Sequence, residues 1–211
     1  MPSPIKLVLF LLALAAPASA HFVWLETTDA GPAAFFGEWS AGVRETQDGY
    51  LKIITAPQTV AADGALKPAT MTHDRIALAA ATTDGDPRLT AHYRPDQGET
   101  LIRYHARLGR RETAAVLPLE LAPVAPDANA FVLTFDGQPL PATDVTLFSA
   151  EGWNRTFRTD ATGRVAILTP WAGQYVLEVA HVADTPGEQD GRPHMKVRHV
   201  ATLTFTVPAG A

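Results

Sequence analysis

The sequence predicts an all-β protein: two β-sandwich domains behind a cleaved N-terminal signal peptide. Three observations carry this. Short β-leaning runs recur along the whole chain after residue 74. Clusters of Gly, Pro, Asp and Asn separate them. The first twenty residues have the layout of a secretory leader.

In that leader, Lys6 gives a positive start, Leu7 to about Ala16 are apolar, and Ala18-Ser19-Ala20 has the small-residue spacing a signal peptidase cuts. Cleavage after Ala20 starts the mature chain at His21. The apolar stretch is too short to span a bilayer, and no later stretch approaches the roughly 20 apolar residues that spanning needs. Without a Cys at the junction, no lipid anchor of the bacterial lipoprotein kind is expected. The mature protein is expected to be exported to the periplasm without membrane insertion.

Charge and cysteine count narrow the function classes. The whole chain has 17 basic and 22 acidic residues. Loss of Lys6 with the leader brings the net charge from −5 to −6. An acidic chain without a basic cluster argues against nucleic acid and anionic membranes as partners. The absence of Cys rules out disulfides, thiolate metal sites and a Cys nucleophile. About 190 mature residues suffice for a core without staples.

Early in the mature chain, Phe35, Phe36 and Trp39 of "FFGEW", with Trp24, are read as core of the first sandwich. The stretch from Gly42 to Ile54 is ambiguous and has room for a short helix. The strand runs are "RIALAAA", "RLTAHYR", "TLIRYHAR", "FVLTFDG", "DVTLFSA", "GRVAILTP", "GQYVLEVAHV" and "RHVATLTFTV". "LAPVAPDANA", with Pro123 and Pro126, is read as a linker. This sets domains at 21–124 and 125–211, after the leader at 1–20.

Two resemblances attach to these residues. The segment "FVLTFDGQPLPATDVTLFSAEGWNRTFRTDATGRVAILTPWAGQYVLEV" runs strand, turn, strand, turn, strand, corner, strand. It resembles the carboxypeptidase-regulatory-like and transthyretin-like sandwiches, which implies an Ig-like or transthyretin-like fold and little about chemistry. The mature chain as a whole, through "AHFVWLE", "FFGEW" and "TPGEQDGRPHMKVRHVATLTFTV", resembles a family of exported bacterial proteins of unknown function. That family is often labelled the periplasmic component of cobalt/nickel uptake systems. The resemblance implies periplasmic location, two β-domains and a link to transition metals.

His21 is the first candidate metal ligand. An N-terminal histidine offers its α-amine and ring Nδ1 as two nitrogens that close a chelate on one ion. The reference pKa of such an amine, about 7.7–8.0, lets a metal displace its proton near neutrality. One more imidazole would complete a three-nitrogen histidine brace, a tetragonal nitrogen set suited to Cu(II). The other N-terminal copper motif needs His at the third mature position, which is Val23.

Strand arithmetic supplies partners. Alternation puts Tyr175, Leu177, Val179 and His181 on one face, and Val197, His199, Ala201, Leu203 and Phe205 on one face. Leu177 opposite Leu203 places His181 opposite His199, and a one-residue slip would turn one apolar face outward. The predicted metal ligands are therefore His21, His181 and His199. His105 and Met195 are further candidates, the Met sulfur as a soft ligand for Cu(I). His105, between Arg103 and Arg107, and His92 are expected to be solvated or ion-paired, and His73 to be exposed in a turn.

Hydrolase, nucleotide-binding, zincin and EF-hand motifs are absent, so no catalytic residues are assigned. The reading that results is a periplasmic metal-binding protein that holds copper for delivery or sequestration or, alternatively, carries nickel or cobalt to an uptake transporter. Its partner would be a membrane metal transporter or a metal-receiving protein. A copper oxidative enzyme and a non-metal interaction module are the competing classes.

Overall fold

The computed structural model describes residues 21–79 and 85–210. The predicted leader lies outside the described residues. The fold is all-β. Among the described residues nineteen strands carry the chain, with single 3-10 turns at Trp39–Ala41 and Leu51–Ile53 and no α-helix. The second turn falls in the stretch where a short helix had room.

The first strands are β1 (Phe22–Thr28), β2 (Gly31–Glu38) and β3 (Val43–Arg44), followed by β4 (Thr55–Val60) and β5 (Leu66–Pro68). Short β6 (Thr70–Met71) and β7 (Ile76–Ala77) precede β8 (Arg88–Tyr93) and β9 (Thr100–Leu108). Then come β10 (Leu119–Pro123), β11 (Ala130–Phe135), β12 (Gln138–Pro139), β13 (Asp144–Ser149), β14 (Asn154–Arg158) and β15 (Arg164–Ala166). The last are β16 (Gly173–Ala183), a small hairpin of β17 (Gly187–Gln189) and β18 (Arg192–His194), and β19 (Lys196–Val207).

Three layers result. The central sheet has eight strands in the order β14-β13-β16-β19-β9-β8-β4-β5. β1, β2, β3, β6 and β7 form a second sheet, and β10, β11, β12 and β15 a third. β9 and β19 are parallel, from Thr100 beside Lys196 to Leu108 beside Thr204. The expected domain boundary at 124 falls in the connection between β10 and β11, where the Val124 N–H donates to the Ala130 carbonyl. The central sheet takes strands from both sides of that position.

Alternation along the central strands gives two buried faces. Leu89, Ala91, Tyr104, Ala106, Val176 and Val200 pack with Phe22, Val23, Trp24, Phe35 and Phe36. On the opposite face Leu147, Leu177, Val179, Ala201 and Leu203 pack with Leu121, Phe131, Leu133 and Val165. Trp24, Phe35 and Phe36 thus fill the core, as "FFGEW" suggested. Thr202 and Thr204 of β19 are covered too. Thr202 lies under β1 and donates from its hydroxyl to the Val23 carbonyl at 2.8 Å, so the middle of the strand's more polar side is interior.

Two local devices hold the chain's turns. At Gly37 the backbone has φ +151°, and a Cβ there would overlap the Val43 carbonyl oxygen, so only glycine lets β3 close against β2. At the "WAGQY" corner the Tyr175 hydroxyl donates to the Trp171 carbonyl and accepts from the Trp171 N–H, at 2.9 and 3.0 Å.

The strongest polar constraint is a buried ion network on the face of the central sheet that carries Ala201 and Leu203. Arg88 and Arg107 stand directly opposite each other in β8 and β9, and both are fully buried. Like charges in facing positions are destabilising unless neutralised. Glu120 of β10 neutralises both, accepting from Arg88 Nε at 2.7 Å and from Arg107 Nη1 at 2.9 Å. Its second oxygen accepts the Leu117 N–H at 2.7 Å. Asp86 takes Arg107 Nη2 at 2.6 Å and the backbone N–H groups of Arg111 and Glu112. The network pins the 110–118 segment and β10 onto the sheet.

Removing one member of such a network leaves buried charge without a partner, at about 3–5 kcal/mol. Glu120→Ala is expected to lower the unfolding free energy by roughly that amount in urea titrations. The exposed pair Arg158–Asp144 is the control: Arg158→Ala should change stability by less than about 1 kcal/mol.

Candidate functional site

His21 immediately precedes β1 and is half-buried at the edge of the second sheet. Its ring lies 5.5 Å from the Phe36 ring and 6.0 Å from the Tyr50 ring, centroid to centroid. Its Nε2 is 2.9 Å from Glu45 Oε1. An ionised carboxylate only accepts, so in the neutral ring Nε2 carries the proton and Nδ1 the lone pair. Among the described residues no hydrogen bond engages Nδ1. Nδ1 is the ring atom that a terminal amine can join in a chelate.

Glu45 is itself fixed. Its N–H donates to the Phe36 carbonyl at 2.8 Å, and its Oε2 accepts the Tyr50 N–H at 3.1 Å. The Tyr50 N–H and then the His21 ring hold its carboxyl below the usual carboxylate range. The imidazole therefore faces a carboxylate that stays ionised. Beside it opens a hollow of about 220 Å³, lined by Phe36, Tyr50, Ile53, Tyr93, Ile102 and Tyr104. Burial pushes the Tyr104 phenol up to about 12, so it is a neutral wall of that hollow.

The strand histidines take the register that alternation predicts. Leu177 faces Leu203, Val179 faces Ala201 and His181 faces His199. Both rings pack against Phe135 of β11, at 4.5 Å for His181 and 4.9 Å for His199. The hydrogen bond of His199, however, goes across β19 to β9. His199 Nδ1 and His105 Nε2 are 3.0 Å apart and the rings are stacked at 5.3 Å with 13° between planes.

The expectation that His105 is solvated or ion-paired is overturned. It is 1% exposed, because its ring is stacked on that of His199 and hydrogen-bonded to it, which withdraws it from water. His92 is half-buried and hydrogen-bonded to Asp190 at 2.8 Å, and His73 is exposed. Met195 lies just before β19, half-exposed, with its N–H donating to the Glu99 carbonyl.

His21 is not brought to the strand histidines. It belongs to the layer covering the Tyr104 and Val200 side of the central sheet. His105, His181 and His199 project from the other side, which carries Ala201 and Leu203. The sheet stands between them. Among the described residues no group of three or more His, Asp or Glu side chains is placed to hold a metal ion.

Sequence reasoning missed Glu45 and Phe135. Glu45 sits in the turn-rich stretch whose secondary structure was ambiguous, and its contact with His21 spans 24 residues. Phe135 is on a predicted strand, but nothing in its own run indicates that it abuts two histidines of the central sheet. No protein-family model matches the chain, and no characterised protein aligns significantly with it.

The buried histidines set a pH dependence. Burial first, then the charges of His199 and Arg103, brings His105 down to about 3. Burial first, then Arg103, with Asp136 opposing, brings His199 down to about 4. In the unfolded chain both titrate near 6.5. Below about pH 6.5 the unfolded state therefore binds protons that the folded state refuses, and stability falls at about 1.4 kcal/mol per pH unit for each histidine. Above that pH neither contributes a slope. Urea titrations between about pH 6.5 and 5 should show the loss, and His105→Gln should make the slope shallower. An unchanged slope in that variant would assign the effect elsewhere.

Proposed function

We propose that this protein is an exported, periplasmic metal carrier whose cargo, copper in the first instance, binds at a processed N-terminus. In this reading a signal peptidase removes residues 1–20 and frees the α-amine of His21. The amine and Nδ1 then form a two-nitrogen chelate, and Glu45 holds the opposite ring nitrogen. A carboxylate behind a metal-binding imidazole fixes its tautomer and raises its basicity.

The observation that carries the reading is the 2.9 Å contact from His21 Nε2 to Glu45 Oε1. It turns Nδ1 toward chelation and orients the ring before any metal arrives. The aromatic hollow beside the ring supports a site reached from one side. A chelate with only two protein nitrogens leaves the remaining positions to water or to an incoming ligand. That suits an ion that is handed on to a transporter or a receiving protein.

The same reading keeps the C-terminal half, 125–211, as a transthyretin-like sandwich and 21–124 as the other β-domain. What supports the first is the core of Leu133, Val145, Leu147, Leu177 and Leu203 between facing sheets.

The test compares Cu(II) binding to protein beginning at His21 with binding to protein carrying one extra Gly before it. The extension turns the amine into an amide and is expected to weaken Cu(II) at least tenfold, about 1.4 kcal/mol. Glu45→Gln in the correctly processed protein should weaken it by roughly 10–100-fold. Equal affinity of the processed and extended forms would sink the N-terminal site. The same titrations with Ni(II) and Co(II) decide the cargo: either ion binding more tightly than Cu(II), against the usual order for nitrogen donors, would mark a nickel or cobalt carrier.

A further inference from the structure

On the side of the central sheet away from His21, a cavity of about 370 Å³ opens between β4, β8, β9 and the 116–118 segment. Its floor carries Thr90, Arg103 and His105, and Gln58 and Gln189 stand at its sides. Val60, Leu66, Val116 and Leu117 make an apolar wall. None of these residues takes part in the N-terminal site, so a ligand bound here is independent of the metal reading.

Arg103 is the unexplained group. Its neighbours on the same face, Arg88 and Arg107, are each held by buried carboxylates. Arg103 is half-buried, and among the described residues no hydrogen bond or ion pair engages its guanidinium. Two carboxylates bear on this region. Asp190 is held by His92 and Gln189, and Asp136 acts on His199. Neither pairs with Arg103. Its charge is felt instead by His105, His194 and His199, whose pKa values burial and that charge lower.

A half-buried guanidinium whose donors no protein group takes matches a carboxylate held through two parallel N–H donors. The cavity size lies within the range of small-molecule sites, which combine apolar walls with a few fixed polar groups. We propose that this cavity binds a small organic carboxylate, its carboxylate on Arg103 and its apolar body against Val60, Leu66, Val116 and Leu117. A monoanion fits the charge: His105 stays neutral and His92 is committed to Asp190, so Arg103 supplies one positive charge. A phosphate dianion would find too few partners, and it would leave the apolar wall uncovered.

The test is isothermal titration of the mature protein with benzoate, hexanoate, benzamide and inorganic phosphate. At least one of the two carboxylates should bind at one equivalent, with benzamide and phosphate at least roughly tenfold weaker. Arg103→Gln should weaken the bound carboxylate by at least roughly tenfold. Leu66→Trp, at an exposed position on the cavity wall, should block it while leaving thermal stability unchanged. The second variant keeps the test decisive if the first folds poorly. Failure of both benzoate and hexanoate to bind would overturn the proposal. So would benzamide or phosphate binding as tightly as the carboxylates, or affinity undiminished in Leu66→Trp.

Discussion

The parallel pairing of β9 with β19 is the contact on which the molecule depends. These strands are far apart in the sequence, and their ladder from Thr100–Lys196 to Leu108–Thr204 joins strands of the two halves into one eight-stranded sheet. A sheet of mixed origin exposes two faces that both need cover. The hairpin of β1 and β2 covers one, with Phe22, Val23 and Trp24 on Tyr104 and Val200. β10 and β11 cover the other, with Leu121, Phe131 and Leu133 on Leu177 and Ala201. The Arg88–Arg107–Glu120 network then locks the second cover in place by making its detachment a loss of buried charge neutralisation.

That arrangement decides which polar groups can meet. Side-chain alternation assigns each residue of β9 and β19 to one of two separate compartments. Tyr104 goes to the compartment of His21; His105, Arg103 and His199 go to the other. The two sides therefore differ in chemistry. One is a half-open histidine held by a carboxylate at the beginning of β1. The other is a set of buried imidazoles and an unpaired guanidinium under the third sheet. In the proposed reading the first gains an amine by processing, while burial shields the second from protons.

Much of the local structure was legible because it depends on near neighbours. The alternation in "GQYVLEVAHV" and "RHVATLTFTV" fixed a register in which every apolar pair and the His181–His199 pair match the structure. The aromatic residues Trp24, Phe35 and Phe36 read as core and are core. What was not legible was non-local. No spacing in the sequence reveals that β19 also has β9 as a neighbour, so the hydrogen bond from His199 to His105 and the burial of His105 were invisible. For the same reason the sheet's position between His21 and the strand histidines could not be read. Strand arithmetic gives faces and not layers, and on faces alone the three histidines could share one ion. Glu45 escaped for a different reason: its role is set by a turn at Tyr50 that offers it an N–H, and turns of that kind leave a weak signal in sequence.

The separation of the N-terminal histidine from the buried ones is the central structural claim, and copper is its most direct reporter. The measurement is the Cu(II) electron paramagnetic resonance spectrum, with nitrogen couplings resolved, of protein beginning at His21. It is recorded beside the spectrum of the same protein carrying His181→Ala and His199→Ala together. Identical spectra, with couplings from one amine and one imidazole, are the expected result. Loss of a nitrogen coupling in the double variant would contradict it, placing a strand histidine on the same ion as His21 and requiring a different arrangement of the layers.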